Sequence, residues 1–208
     1  MMPPHNLWSY EDQAGKRGFQ RIAGVDEVGR GPLAGPVVAA AAVLPRDLPE
    51  AGIADSKQLS EKKRERLYEF VYRHALSVGV GIVDPPEIDR INILQAACAA
   101  MAMAVSNLAP APDFVLVDGN RLPPLDMPAE AVPGGDRLSL SVAAASIVAK
   151  VTRDRMMGVY ARDYPEYGFT SNKGYPTRTH RDALAAHGAT PIHRLSFKGV
   201  RCLFRAES

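Results

Sequence analysis

The sequence predicts an α/β layered domain, and three observations support this fold class. Short apolar runs bounded by Gly and Pro are typical of strands, and longer segments with helical periodicity lie between them. The chain has 208 residues, of which 46% are hydrophobic, enough for one sizeable core. We therefore predict a single domain over residues 19–208. Residues 1–18 form a polar N-terminal segment whose order the sequence leaves open.

Four short segments have the composition of strands. They are rich in valine, alanine or other apolar residues and end at Gly, Pro or Asp. Gly79 and Gly81 lie inside the third segment and predict that another element approaches its backbone closely. The proline-rich residues 122–133 are predicted to be irregular. The predicted strands are residues 19–28, 37–44, 77–83 and 114–117.

Four longer segments are predicted to be helical. Ser60 is a favourable N-cap for the first, and Glu61 fits its first turn. The second follows Pro85 and Pro86, and its apolar stripe indicates core packing. Ser139 or Ser141 opens the third. The predicted helices are residues 60–76, 87–108, 142–160 and 178–187.

Composition excludes several classes of protein. The sequence contains no apolar run of 18 residues, so we expect no membrane-spanning helix. The N-terminal segment lacks the apolar stretch of a signal peptide, which favours a cytoplasmic protein. Cys98 and Cys202 form no CxxC pair and are expected to be buried thiols. The net charge of +2 identifies no partner by itself. If several acidic residues bind cations, however, the remaining surface is basic and suits a polyanion.

The glycine-rich residues 29–34 (GRGPLA) fit the loose dinucleotide-binding pattern GxGxxA. That pattern must open a helix, and Pro32 and Pro36 do not suit one. Asp26 and Glu27 immediately precede the glycines and would repel a pyrophosphate. We therefore reject a dinucleotide cofactor.

Four acidic residues are better candidates for function. Asp26 and Glu27 end one apolar strand, Asp118 ends another, and Asp136 precedes the alanine-rich helix. Strand ends are where α/β sheets usually gather their sites. Carboxylates from three segments converge only if cations offset their repulsion, and such ligands suit Mg²⁺ or Mn²⁺. Two such ions about 4 Å apart can hydrolyse a phosphodiester.

An alternative interpretation remains open at this point. A single Asp at a strand end is often only a turn former, and Asp118-Gly119 is a common turn dipeptide. Neighbouring strand residues point to opposite faces, so Asp26 and Glu27 can face one site only if the strand breaks. Gly29 makes such a break plausible.

Residues 25–36 (VDEVGRGPLAGP) resemble the signature of the ribonuclease HII family. Further blocks match in the same order, and together they cover residues 19–198. These blocks are residues 55–60 (DSKQLS), 91–94 (INIL), 117–120 (VDGN), 143–154 (AAASIVAKVTRD), 172–177 (NKGYPT) with His180, and 193–197 (HRLSF).

The resemblance implies a ribonuclease H-like fold, a mixed β-sheet flanked by α-helices, with a C-terminal helical and loop appendage. It implies an endonuclease that hydrolyses the RNA strand of RNA–DNA hybrids and cuts 5′ of single ribonucleotides in duplex DNA. The products would carry 3′-OH and 5′-phosphate ends, and the cofactor would be two Mn²⁺ or Mg²⁺ ions. The catalytic and metal-binding residues would be Asp26, Glu27, Asp118 and Asp136.

The resemblance also implies substrate contacts. The backbone of Gly29, Arg30 and Gly31 would contact the ribose 2′-OH, the group that distinguishes RNA from DNA. Tyr175 would pack against the sugar at the junction. We further expect phosphate contacts by Ser56 and Lys57, a structural ion pair between Arg153 and Asp154, and polar organisation rather than metal binding by His180 and His193.

The sequence departs from the family at one position. Gly134 stands where many members carry a lysine, so the loop before Asp136 loses a charge. Residues 201–208 (RCLFRAES) show no QxxLxxFF-type clamp-binding motif, so no replication partner is implied. We expect a monomer. Two alternatives stay open: a ribonuclease HIII-like enzyme that needs long hybrids, and a non-catalytic binder of hybrid duplexes.

Overall fold

The computed structural model describes residues 6–49, 52–53 and 59–204, and it contains a mixed five-stranded sheet in the order β3-β2-β1-β4-β5. β1 pairs antiparallel with β2 and parallel with β4. The outer pairs are β2 with β3, antiparallel, and β4 with β5, parallel. The strands are β1 (Ile22–Val28), β2 (Val37–Val43), β3 (Ser77–Val83), β4 (Phe114–Asp118) and β5 (Ala129–Val132).

Helices cover both faces of this sheet. None of the described helices is long and apolar enough to span a membrane. The helices are α1 (Ser9–Lys16), α2 (Glu61–His74), α3 (Pro85–Ile91), α4 (Ile93–Ser106), α5 (Leu140–Asp163), α6 (Phe169–Asn172), α7 (Arg178–His187) and α8 (Lys198–Phe204).

The predicted elements are largely confirmed, with two differences. The single helix predicted over residues 87–108 was wrong, because Asn92 has φ 69° and ψ 161° and interrupts it. The Asn92 side chain accepts hydrogen bonds from the N–H groups of Leu94 and Gln95 and so caps α4. β5 lies within residues 122–133, which were predicted to be irregular. Ser60 and Ser139 are the N-caps of α2 and α5, as expected.

Close backbone approach holds the helices to the sheet. A Cβ at Gly24 of β1 would overlap the Ser141 and Val142 backbone of α5. On the opposite face, Cβ atoms at Gly79 and Gly81 would overlap the backbone of α4, which confirms the expected close approach. α5 is therefore fixed against the central strand at its N-terminal end.

The polar N-terminal segment joins the folded body from α1 onward. Glu11 of α1 is buried, and its Oε1 accepts hydrogen bonds from the hydroxyls of Ser139 and Ser141 and from the Ser141 N–H. Ala14 packs with Ile22 in a small cluster below β1, β4 and β5. α1 thus braces the start of α5.

The C-terminal part forms a separate layer beside the sheet, as the predicted appendage requires. Its apolar cluster joins Met157 of α5 and Leu184 of α7 to Leu33 and Ala34, which follow β1. Tyr167 and Phe169 stack at its centre, with ring centroids 5.5 Å apart. This layer places the segment around residue 175 beside the glycine-rich loop.

Candidate active site

Two neighbouring parallel strands bring three acidic residues to one edge of the sheet. β1 and β4 pair in register from Ile22 with Phe114 to Val25 with Val117. The next residues are Asp26 and Glu27 on β1 and Asp118 at the end of β4. The sheet topology therefore gathers carboxylates that lie about 90 positions apart in the sequence.

The possible strand break was left open by the sequence, and β1 does not break at Asp26 or Glu27 but ends at Val28, before Gly29. β1 stays paired with β2 through Asp26–Ala40, Glu27–Ala39 and Val28–Val38. Asp26 shares the face of Gly24, against α5, and Glu27 shares the face of Val25, toward α4. β4 ends at Asp118, and the Asp118 carboxylate interacts electrostatically with both Asp26 and Glu27 at that strand end.

Asp26 is the most buried of the three, with 6% of its surface exposed. Burial raises the pKa of its carboxyl well above the ordinary range, and the charges of Glu27 and Asp118 raise it further. Hydrogen bonds from the Ser146 hydroxyl and from the Glu27 N–H, the latter at 2.7 Å, act in the opposite direction. Ionisation of the Asp26 carboxyl therefore carries a free-energy cost, which a nearby cation would offset.

Glu27 lies on the wall of a cavity of about 340 Å³, together with Asp118, Asn120 and the half-buried free thiol of Cys98. Burial raises the pKa of Glu27, and the Arg30 guanidinium, 3.1 Å from Oε1, acts against that rise. The cavity thus offers solvent access to two of the carboxylates.

Asp136 is buried in a short 3₁₀ turn, Gly135–Arg137, directly before α5. The preceding Gly135 N–H donates to Asp118 Oδ1 at 2.7 Å, so the backbone of this turn lies against Asp118. Arg137 Nε lies 3.9 Å from Asp136 Oδ1. The turn therefore places Asp136 directly after the residue that binds Asp118.

The donor set fits hard divalent cations better than zinc, because it consists of carboxylate oxygens. Asp26, Glu27 and Asp118 repel one another, and Arg30 counters only the charge of Glu27. Over the described residues, no three His, Cys, Asp or Glu side chains are already spaced as ligands of one ion.

A buried arginine fixes the glycine-rich loop beside the carboxylates. Arg194 donates to the carbonyl oxygens of Gly29, Arg30 and Gly35 at 2.6–3.2 Å and has no exposed surface. Burial lowers the pKa of its guanidinium to about 9, which still leaves it charged at neutral pH. The loop carbonyls are thus turned toward the protein interior.

Arg153 of α5 binds the same loop from the other side. The Arg153 guanidinium donates to the carbonyl oxygens of Ala34, Pro36 and Lys173, each at 3.0 Å. The predicted ion pair between Arg153 and Asp154 was wrong. Asp154 instead pairs with Lys150 at 2.8 Å. An arginine inside an alanine-rich helix indicated that Arg153 has a buried partner. The sequence could not identify that partner, because the acceptors are backbone carbonyls.

A narrow slot separates the glycine loop from Tyr175. A Cβ at Gly31 would lie 3.6 Å from Tyr175 Cε1, with no other atom within 4 Å. Among the described residues, no hydrogen-bond acceptor takes up the Gly31 N–H. The Tyr175 side chain is 40% exposed, so the slot opens to solvent. Ser56 and Lys57, the predicted phosphate contacts, lie outside the described residues.

Comparison with known proteins identifies relatives of this chain in sequence and in fold. The family model "Ribonuclease HII" matches residues 23–200. The chain is 54% identical to "Ribonuclease HII" of Bacillus subtilis over 196 residues, which covers 94% of this chain and 76% of that protein. It also resembles the crystal structure of ribonuclease H2 from Pyrococcus horikoshii, with a TM-score of 0.77 and 30% identity over 90% of this chain and 98% of that one. A PCNA:RNase HII complex from Archaeoglobus fulgidus matches with a TM-score of 0.74 and 26% identity, covering 86% and 96% of the two chains.

Proposed function

The chain belongs to the ribonuclease HII family of metal-dependent endoribonucleases that degrade the RNA of RNA–DNA hybrids, and we propose that it also incises DNA at single embedded ribonucleotides. The cut lies on the 5′ side of the ribonucleotide and leaves 3′-OH and 5′-phosphate ends. We propose that this enzyme is a cytoplasmic monomer. It would act in ribonucleotide excision repair and DNA replication.

One observation carries this proposal: three carboxylates at the ends of β1 and β4 lie beside a slot lined by glycine. The carboxylates are Asp26, Glu27 and Asp118, which interact electrostatically. Arg30 links the two features, because it belongs to the glycine loop and pairs with Glu27 at 3.1 Å. A sugar in the slot would therefore have its phosphate near the acidic cluster.

In the proposed mechanism, Asp26 and Asp118 would hold the Mg²⁺ or Mn²⁺ ions, and Glu27 and Asp136 would add further ligands. When bound, such ions supply an activated water and stabilise the leaving oxygen of the phosphodiester. Ser146 orients the Asp26 carboxylate. Gly135 orients Asp118 through its N–H.

The proposed substrate contacts follow from the shape of the slot. The absence of a side chain at Gly31 lets the backbone approach the ribose, and its N–H can bond the 2′-OH. A 2′-hydroxyl is missing from DNA, so this contact favours a ribonucleotide at the cut position. The Tyr175 ring packs against the next sugar, where a deoxyribose fits.

The decisive experiment maps the cleavage site on duplex DNA carrying one ribonucleotide, with Mg²⁺ or Mn²⁺ and with a chelator. We expect one cut on the 5′ side, abolished by the chelator. We expect Asp26→Asn to abolish cutting while duplex binding persists. The matched control is Asp113→Asn. Asp113 lies away from the cluster and accepts hydrogen bonds from the backbone N–H groups of Gln20 and Arg21.

Other outcomes identify the alternatives. Cutting of long RNA–DNA hybrids but not of the single-ribonucleotide duplex would indicate a ribonuclease HIII-like choice of substrate. Binding without product at any concentration of either ion would indicate a non-catalytic binder. Cutting that survives Asp26→Asn would contradict the assignment of that carboxylate.

A further inference from the structure

Two buried histidines outside the acidic cluster face each other across the C-terminal layer. His180 belongs to α7, and His193 lies in the loop before α8. Their Nε2 atoms are 3.0 Å apart, and the rings are 0% and 2% exposed. Tyr167 and Phe169 pack against both rings.

The hydrogen bonds around the pair favour one arrangement of its protons. The Thr190 N–H can only donate, and it points at His193 Nδ1 at 2.9 Å, so we assign that nitrogen as an acceptor; the Thr190 hydroxyl, 2.8 Å from the same nitrogen, can donate to it as well. A neutral His193 therefore carries its proton on Nε2 and donates it to His180 Nε2. His180 is then protonated on Nδ1 and donates to the Tyr175 carbonyl oxygen at 2.9 Å. One chain of hydrogen bonds runs from Thr190 to Tyr175.

This proton arrangement argues against a metal ion between the rings. A metal ligand needs a free lone pair on each facing nitrogen, and His193 Nε2 has none while its Nδ1 accepts from Thr190. Burial lowers the pKa of both rings, that of His193 to about 4, so the pair stays neutral at ordinary pH. The contact is thus a hydrogen bond between two neutral imidazoles.

The two histidines belong to opposite walls of the slot. His180 holds the Tyr175 wall, because its ring bonds the Tyr175 carbonyl and its N–H bonds the Thr177 side chain. His193 holds the glycine-loop wall, because it forms an antiparallel bridge with Ala34.

The neighbours of His193 strengthen that attachment. The Gly35 N–H donates to the Ile192 carbonyl, and the Arg194 N–H donates to the Leu33 carbonyl, both at 2.8 Å. Arg194 also binds the carbonyls of Gly29 and Arg30. The His180–His193 bond therefore joins two segments that carry the opposing walls. It acts together with the Leu33 N–H, which donates to the Gly174 carbonyl at 2.8 Å, and with Arg153, which donates to Ala34 and Lys173.

We propose that His180 and His193 are positioning residues, whose mutual hydrogen bond sets the spacing between Tyr175 and Gly31 and thereby the selectivity for a junction of ribose and deoxyribose. The inference rests on the proposed function of the slot. Neither histidine touches the substrate. Each acts through the wall that it holds, so loosening the bond affects junction cutting more than cutting within continuous RNA.

The test uses asparagine, which can replace the Nδ1 contacts of a histidine but does not reach Nε2. His180→Asn keeps a donor for the Tyr175 carbonyl, and His193→Asn keeps an acceptor for Thr190. Each variant therefore removes the bond between the rings and spares the attachment to its own wall. His74→Asn is the matched control, because His74 contacts only Phe70 of its own helix among the described residues.

The readout is the ratio of kcat/KM on a single-ribonucleotide duplex to kcat/KM on a continuous RNA–DNA hybrid, measured on the same preparation. A smaller folded fraction lowers both rates equally and leaves this ratio unchanged. We expect the ratio to fall about tenfold in each variant, because small displacements in a site have effects of that order. The double variant should show the same ratio as either single variant, since all three lack the same His180–His193 hydrogen bond.

The outcomes separate the two proposals. Wild-type protein that fails to cut the single-ribonucleotide duplex contradicts the proposed function. Wild-type cutting with an unchanged ratio in both variants, or with effects that multiply in the double variant, overturns the role of the pair alone. A third measurement needs no activity: ¹⁵N-histidine NMR of the wild type should show scalar coupling between the two Nε2 nuclei, and its absence overturns the bond itself.

Discussion

The guanidinium of Arg194 donates a 2.6 Å hydrogen bond to the carbonyl oxygen of Gly29, 165 positions earlier in the chain. The same side chain binds the carbonyls of Arg30 and Gly35. A charged donor is suited to this task, since hydrogen bonds to ionised groups are stronger than those between neutral ones. The conformation of the glycine loop therefore depends on a residue near the C-terminus.

Replacing Arg194 should destabilise the protein and disorder the glycine loop. Arg194→Met removes the donor from the buried carbonyl oxygens of Gly29 and Gly35 and from the part-buried carbonyl of Arg30, and we expect the free energy of unfolding to fall by about 3 kcal/mol or more. Arg194→Lys should recover part of this loss, because an ammonium cannot reproduce the planar fork. Urea denaturation measures both. Arg155→Met is the control: that side chain is half exposed and should contribute less than about 1 kcal/mol.

Gly31 and Gly29 should separate activity from folding. Gly31→Ala meets only Tyr175 at an ordinary contact distance, so we expect stability to change by less than about 0.5 kcal/mol. The methyl group narrows the slot, and cutting of the single-ribonucleotide duplex should fall at least about tenfold. Gly29→Ala differs, because Gly29 has φ 96° and its Cβ would overlap Arg153. It should cost about 2–3 kcal/mol. Equal stability losses in the two variants would contradict this division.

Asp26→Asn should stabilise the metal-free protein while it abolishes cutting. The folded state raises the pKa of Asp26, so the folded protein holds that proton more tightly than the unfolded chain. Stability is therefore lost as the pH rises through the raised pKa, and a neutral amide avoids the loss. We expect a gain of about 1 kcal/mol or more at neutral pH in a chelating buffer, measured by thermal or urea unfolding. A variant less stable than the wild type at that pH would argue against the burial cost.

The histidine pair should make stability depend on mildly acidic pH. The pKa of His193 falls from 6.5 to about 4 on folding, and that of His180 falls as well. The unfolded chain therefore binds more protons below about pH 6.5, so stability is full above that pH and is lost as the pH falls toward about 4. We expect a loss of about 2–3 kcal/mol over this window. The double variant His180→Asn/His193→Asn should lack that part of the pH slope in urea titrations.

Much of the architecture was predictable from local sequence. Apolar runs located four strands, and Ser60 and Ser139 marked the starts of α2 and α5. Glycines 79 and 81 predicted a close helix approach, which the contacts of α4 confirm. These features follow from short-range chemistry, because backbone propensity, capping and turn geometry depend on neighbouring residues.

Other features were invisible locally. Asn92 breaks a run of apolar periodicity, and the four-residue strand β5 lies in a segment whose prolines favour irregular structure. The packing of α1 depends on Glu11 meeting Ser139 and Ser141, about 130 positions later. For β5 and α1 a tertiary contact outweighs a weak local preference, whereas the break at Asn92 is a local cap that the apolar pattern hides.

The sequence alone determined which residues are candidates: the acids at strand ends, the glycine loop and the tyrosine block. Only the tertiary structure decided how they meet. It kept β1 unbroken and gathered the acids around the end of β4, and it gave Arg153, Arg194, His180 and His193 their partners. The physical reason is that these partners are mostly backbone carbonyls and distant rings, whose positions are set by sheet order and helix packing rather than by side-chain identity.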